Sequence, residues 1–225
     1  MLLALAIPAA ALASPVPDRP AFSPSAVLVP SRSIEVEIGG RWQEGITVPT
    51  RVKYGVGRVF EPRVGFDLSG VDDGDPDLSL QGKLKILLEG EHALAFLAGS
   101  GFPVADDDRW NGLLGLLYTA TLPSLDLRAT AGLEFGVPAT GEPGAAFTGV
   151  PLTLLVGTPF TGSLSGFAEG ATVVDDGFRS WRAQGGLLWQ VTGILVLDAA
   201  AGWDFAARNP FATLGLTANL GTLGG

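Results

Sequence analysis

Charged side chains recur at every second position in several stretches of the N-terminal half of the chain. One stretch, QGKLKILLEG, places Lys83 and Lys85 two residues apart among leucine and isoleucine, and Glu35 and Glu37 alternate in the same way. If these positions face the inside of a closed sheet, neighbouring strands carry opposite charges, and cross-strand pairing lowers the cost of confining them. Such a lining could select or orient a solute, or its ion pairs could rigidify and close the interior.

Later stretches carry the same alternation with fewer charges. Across the chain we expect the lumen-lining residues to be Glu35, Glu37, Arg51, Lys53, Glu61, Arg63, Asp67, Lys83, Lys85, Arg128, Glu134, Arg182, Asp198 and Asp204.

Catalytic chemistry has few candidates in this sequence. His92 is the only histidine, it stands beside the dipeptide Gly90-Glu91, and no serine motif lies near it. Hydrolytic sites need a histidine base close to its partner, so we expect His92 to be a turn residue and the chain not to be an enzyme. With no cysteine, histidine-based metal cluster or phosphate-binding glycine loop, we also predict no cofactor and no metal site.

The charged positions alternate with apolar ones, as in a strand with one apolar face. A helix would place Lys83 and Lys85 about 200° apart with leucines beside both. The pattern predicts about twelve strands, and their lengths of about nine to thirteen residues suit a tilted membrane crossing better than a soluble sandwich. The predicted ranges are 33–42, 47–56, 58–69, 77–89, 92–102, 111–121, 125–136, 149–158, 163–174, 178–190, 194–205 and 211–222.

Composition favours a membrane protein without transmembrane helices. The chain is 47% hydrophobic and only 16% charged, yet beyond the N-terminus it has no apolar run of about 18 residues. A closed antiparallel up-and-down β-barrel is the remaining structure that satisfies every backbone amide within lipid. The net charge of −9 and the lack of a basic cluster exclude nucleic acid as a partner.

The connections and aromatic residues agree with an outer-membrane barrel. Short predicted turns alternate with longer loops rich in Asp, Gly and Pro, as periplasmic turns alternate with external loops. Aromatic rings prefer the membrane interfaces. We expect Trp42, Trp110, Trp181 and Trp203 near the outer ends of strands, and Tyr54, Tyr118 and Trp189 near the inner ends.

The N-terminal region divides into two parts. Residues 1–13 form an apolar stretch ending in Ala11-Leu12-Ala13, which predicts a signal peptide cleaved before Ser14, although its charged start is missing. Residues 14–32 contain five prolines, which deny a sheet its donors and favour an extended periplasmic leader. Residues 33–225 form the predicted barrel.

The fifth and sixth predicted strands differ from the first four because both of their faces are apolar or small. Leu97 and Leu117 occupy one face, and Phe96 and Leu116 the other. This part of the lumen could pass an amphipathic or aromatic molecule, or it could contact a plug or a second subunit.

The segment GDPDLSLQGKLKILLEG, Gly74 to Gly90, resembles the Gly-Asp start and alternating Leu/Lys strand of the outer-membrane transporter-like family "MetA-pathway of phenol degradation". The resemblance implies a barrel channel or transporter in the cell outer membrane of Gram-negative bacteria, for passive passage of small molecules, hydrophobic or aromatic ones among them. Its partners would be outer-membrane lipid, the barrel assembly machinery and a small-molecule solute. Two alternatives stay open, a structural or adhesive barrel closed by ion pairs and a soluble secreted all-β binding protein.

Overall fold

The computed structural model of the chain describes residues 15, 17–18, 22–69, 77–103, 109–138, 146–174 and 178–222. Twelve strands make up almost all of this part. They are β1 (Ser33–Gln43), β2 (Gly45–Tyr54), β3 (Phe60–Ser69), β4 (Asp77–Glu89), β5 (His92–Pro103), β6 (Arg109–Leu122), β7 (Leu125–Pro138), β8 (Ala146–Pro159), β9 (Leu164–Val174), β10 (Phe178–Thr192), β11 (Leu195–Asp204) and β12 (Asn209–Thr222). No helix in the described ranges is long and apolar enough to cross a membrane.

Each strand pairs antiparallel with the next one in sequence, and β1 pairs with β12 to close the barrel. The closing register sets Glu37 opposite Thr217 on one side and opposite Arg51 of β2 on the other. The prediction of a twelve-stranded up-and-down barrel is confirmed, and no predicted strand end is displaced by more than three residues.

Side chains alternate between a polar interior and an apolar exterior along the strands. On β4, Lys83 is 1% exposed while its neighbour Leu84 is 48% exposed, and Ile86 and Leu87 are exposed on the outside as well. A bulge between Lys85 and Leu87 places Leu88 opposite Ala93, on the inner side of the wall. A soluble protein rarely presents so much contiguous apolar surface, whereas a membrane barrel requires an apolar outer band. The protein is an outer-membrane β-barrel, and a soluble secreted binding protein does not fit this exterior.

Short turns connect the strands at one end of the barrel, which is the periplasmic end in proteins of this kind. Gly90 connects β4 to β5 at φ 57°, and Gly57 lies between β2 and β3 at φ 60°. A left-handed backbone strains other L-residues but not glycine, so these two glycines permit the tight connections. At the other end, the connection between β1 and β2 is also short, with Glu44 alone between the two strands.

The described part of residues 14–32 does not form a periplasmic leader, and that prediction is wrong for it. Pro17, Asp18 and residues 22–31, hereafter the plug, contact inward-facing side chains of the barrel, and Ala26 is completely buried. The chain turns into the lumen just before β1, where Pro30 packs so closely on Gly55 that a Cβ there would lie 2.1 Å from the Pro30 carbonyl oxygen. The predicted signal peptide, residues 1–13, lies outside the described residues.

Candidate functional site: the plugged lumen

A buried ionic cluster joins the plug to the first three strands. The Lys53 ammonium lies 2.8 Å from a Glu35 carboxylate oxygen, 2.6 Å from one of Glu37 and 3.2 Å from one of Asp18 in the plug. The Arg63 guanidinium lies 2.8 Å from Asp18. None of these five side chains is more than 2% exposed, so each charge depends on its partners for compensation.

Asp18 completes the charge balance of this cluster. The strands supply four cations, Arg51, Lys53, Arg63 and Lys83, and three carboxylates, Glu35, Glu37 and Glu61. Burial alone would raise the pKa of Asp18. The nearby Arg63 guanidinium and Lys53 ammonium outweigh burial, so the pKa of Asp18 lies well below its usual range. The plug therefore contributes the fourth negative charge that the lumen wall requires.

Carboxylates of the barrel wall also bind the plug through its main chain. The Asp18 amide donates to Glu37 at 2.7 Å, and the Val29 amide donates to Glu61 at 2.6 Å. Across the lumen, the Phe22 and Ser23 amides both donate to Glu169 of β9, at 2.7 Å and 2.6 Å. Hydrogen bonds to charged acceptors are the stronger class, and here they fix the plug at both sides of the barrel.

Cations and a hydroxyl complete this binding of the plug backbone. The Lys83 ammonium donates to the carbonyls of Ser25 and Val27, both at 2.8 Å. The Arg128 guanidinium donates to the Pro17 carbonyl at 2.9 Å, and Thr119 accepts from the Ala26 amide at 2.8 Å. Proline-rich extended chain has unpaired backbone groups, and the lumen wall supplies partners for them.

The apolar inner faces of β5 and β6 pack against the plug. Ala95, Leu97 and Leu117 form a buried cluster with Ala26, and Val27 and Leu28 border it. Of the two interpretations of this apolar wall, contact with a plug is the one that the structure shows.

The tip of the plug, Phe22 and Ser23, forms a latch on the far side of the lumen. Besides the two amide bonds to Glu169, the Ser23 hydroxyl lies 2.5 Å from the Thr153 hydroxyl of β8. The Phe22 ring packs edge-on against Phe211 of β12 with centroids 5.8 Å apart. The latch thus consists of the contacts of Phe22 and Ser23 with Glu169 and Thr153.

Two cavities lie at different depths of the lumen, and the latch residues line neither of them. The periplasmic cavity, about 460 Å³, is lined by Arg128 and mostly apolar side chains such as Leu155 and Phe167. The outer cavity, about 340 Å³, is lined by small and polar residues and by Glu134. Along β8, the latch residue Thr153 lies between Leu155 of the periplasmic cavity and Thr148 of the outer cavity, so the latch has an intermediate depth in the lumen.

The remaining residues that were predicted to line the lumen are distributed as follows. Arg128 pairs with Asp126 at 2.9 Å, and Arg182 pairs with Asp204 at 2.7 Å near the outer end. Asp198 is buried. Asp67 is exposed near the outer end of β3, and Glu134 is half-buried. Lys85 borders a crevice beside the plug.

Most of the predicted girdle residues face outwards. Trp42, Trp181 and Trp203 are 42–55% exposed near the outer strand ends, and Trp189 is 50% exposed near the periplasmic end. Tyr54 is half-buried, and the side chain of Trp110 lies outside the described part.

His92 lies close to a girdle residue. Its Nδ1 lies 2.7 Å from the Tyr118 hydroxyl on the exposed surface. Within the described residues, no group of three His, Cys, Asp or Glu side chains is placed to hold a metal.

Sequence reasoning missed the plug side of the site, including Asp18, the latch and Thr119. One available signal was Glu169, a single acidic residue in the otherwise uncharged strand LSGFAEGATVV. A lone inward carboxylate needs partners, and here they are the Gln184 side-chain amide of β10 and two main-chain amides of the plug more than 140 residues away in sequence.

Comparison with known proteins gives a family and a fold. The family described as "Putative MetA-pathway of phenol degradation" matches residues 17–220. The KdgM porin, solved in complex with disordered oligogalacturonate, has a TM-score of 0.67 at 9% identity over 82% of this chain and 98% of that chain. An outer membrane channel from Pseudomonas putida F1 has a TM-score of 0.64 at 14% identity over 87% and 98%. No functionally curated protein matches the sequence.

Proposed function

The chain belongs to the family "Putative MetA-pathway of phenol degradation", and from its lumen we propose that it is a passive outer-membrane channel for small molecules that opens when the plug moves. The observation that carries this proposal is the latch. It ties the plug tip to Glu169 and Thr153, and along β8 Thr153 lies between Leu155 of the periplasmic cavity and Thr148 of the outer cavity; we infer that the seated plug interrupts the path between the two cavities. The similarity to porins and to an outer membrane channel supports the same conclusion at the level of fold.

The lining of the path favours small hydrophobic or aromatic solutes. The periplasmic cavity is mainly apolar and its Arg128 is already paired with Asp126, so it offers little to a highly charged molecule. The KdgM porin was solved with oligogalacturonate, a polyanion, but the inward cations Lys53, Arg63 and Lys83 of this chain are compensated by carboxylates. We therefore propose a different solute class for this channel.

Single-channel recording in planar bilayers tests the proposal. The wild type should give rare openings, and a variant lacking residues 17–29 should give steady conductance, because the latch and the ionic cluster with Asp18 are removed together. Heat-modifiable migration on gels checks that both proteins are folded barrels. If the folded deletion variant conducts no more than lipid alone, the channel proposal is wrong.

A structural or adhesive barrel with a closed lumen is the second candidate, and the buried ion pairs around Lys53 favour it. Liposome swelling separates the two functions. A closed barrel predicts no uptake of a small aromatic solute by wild-type proteoliposomes even when the deletion variant conducts, whereas a gated channel predicts slow uptake by the wild type.

We retain as a proposal that the chain is not an enzyme. We further propose that its partners are outer-membrane lipid, the barrel assembly machinery and the transported solute.

A further inference from the structure

A crevice of about 320 Å³ lies at the periplasmic end, between the plug and the ends of β2 to β5. One wall is the plug itself, with Val27, Leu28 and Pro30. The opposite wall includes Leu88, and Arg58 and Lys85 also line the space. The crevice thus combines an apolar body with two cationic groups, and it is separate from the periplasmic cavity and the outer cavity.

These two cations differ from the four cations of the buried ionic cluster. Arg51, Lys53, Arg63 and Lys83 all have a carboxylate within 4 Å. Among the described residues, neither Lys85 nor Arg58 has an ion-pair partner. In a chain of net charge −9, two neighbouring cations without carboxylates are unusual, and they create a local positive potential.

The backbone positions that carry the two cations are fixed by a hydrogen bond and by a turn. The Lys85 amide donates to the Val59 carbonyl at 2.8 Å. Arg58 follows Gly57, whose left-handed φ of 60° fixes the turn between β2 and β3. Lys85 is half-buried while Arg58 is exposed, so one cation lies within the crevice and the other stands at its mouth.

We propose that this crevice binds a small amphipathic monoanion, such as a short-chain carboxylate. The carboxylate pairs with Lys85 and Arg58, and the hydrocarbon lies against Val27, Leu28 and Leu88. The volume is at the lower end of small-molecule pockets, which run from about 300 to 1,000 Å³, and it limits the ligand to a short chain or a single ring.

Such a ligand acts on the plug. Because the plug forms one wall, the site is complete only while the plug is seated, and a ligand that prefers one state shifts the equilibrium towards it. Bound anion therefore stabilises the closed lumen. This second effect rests on the proposed channel function, whereas the binding itself does not.

Isothermal titration calorimetry of the full chain in detergent tests the binding, with hexanoate as the probe and protein-free micelles as the blank. We expect saturable binding of hexanoate to the wild type and at least tenfold weaker binding to Lys85→Gln. Lys85→Arg should retain binding, and Arg208→Gln, which removes an exposed cation at the outer end, should leave it unchanged. Hexanamide, which has the same chain without the charge, should not bind.

Three results would overturn the proposal: no saturable binding of hexanoate, equal binding of hexanoate and hexanamide, or equal binding to wild type and folded Lys85→Gln. Conductance provides a second measurement, in which hexanoate should lower the open probability of the wild type but not of Lys85→Gln. If the barrel does not conduct at all, the channel proposal fails while the calorimetry still decides whether the crevice is a site.

Discussion

Glu169 carries the latch, so Glu169→Ala is the most informative single substitution. The change removes the acceptor of the Phe22 and Ser23 amides, at 2.7 Å and 2.6 Å, and leaves the rest of the plug contacts in place. Each hydrogen bond to a charged group contributes roughly 1.5–3 kcal/mol. Together the two bonds stabilise the seated plug by about 3–6 kcal/mol, which corresponds to a factor of about 10² to 10⁴ in the seating equilibrium.

Open probability in planar bilayers measures this shift, and we expect it to rise by at least about a hundredfold in Glu169→Ala. Glu134→Ala is the matched control, because Glu134 also faces the lumen but lines the outer cavity and has no hydrogen bond or ion pair to the described plug residues. That control should change single-channel conductance at most, without changing open probability. Equal open probabilities in wild type, Glu169→Ala and Glu134→Ala would refute the role of the latch.

Three further predictions follow from the ionic cluster and the barrel wall. Lys53→Met removes the ammonium that three buried carboxylates share and should destabilise the barrel by about 3–5 kcal/mol. The measurement is the temperature at which the folded barrel unfolds on gels, which should fall. Arg51→Met is the control, because its 3.7 Å pair with Glu37 is partly exposed and its loss should cost less than about 1 kcal/mol. Leu84→Lys places a charge on the lipid-facing surface at a cost of about 2–4 kcal/mol near the bilayer midplane, and refolding into vesicles should yield less folded protein. The pKa of Asp18 is lowered in the folded protein, so ionised Asp18 stabilises the seated plug. This stabilisation is complete above the unfolded pKa of about 3.9 and is lost as the pH falls through the lower folded pKa. The open probability should therefore stay constant between about pH 7 and pH 5 and should rise only in stronger acid.

The barrel itself could be predicted because its signal is local. Each strand repeats an alternation with period two, and the same alternation decides which face meets lipid. Lys83 and Leu84 are adjacent in sequence and lie on opposite faces of the wall, as the pattern requires. The resemblance of residues 74–90 to a known family agrees with the match over residues 17–220.

The plug could not be predicted in the same way because its structure depends on long-range contacts. A proline-rich segment has no periodicity that distinguishes an extended leader from a chain folded into a lumen. Its position depends on side chains such as Glu169 and Thr119, which are 147 and 93 residues away from the plug residues that they bind. The period of two predicts the alternation of the charges on the first strands, but it contains no signal for Asp18, which pairs with Lys53 and Arg63 from the plug.

Reversible locking of the plug tests the central claim most directly. The chain has no cysteine, and the Ser23 and Thr153 hydroxyls lie 2.5 Å apart, close enough for a disulfide to replace them. A double variant, Ser23→Cys with Thr153→Cys, should be silent in planar bilayers when oxidised and should conduct after reduction, while each single variant should ignore the redox state. Equal conductance of the oxidised and reduced double variant, with the disulfide confirmed by mass spectrometry, would show that passage does not require the plug to move.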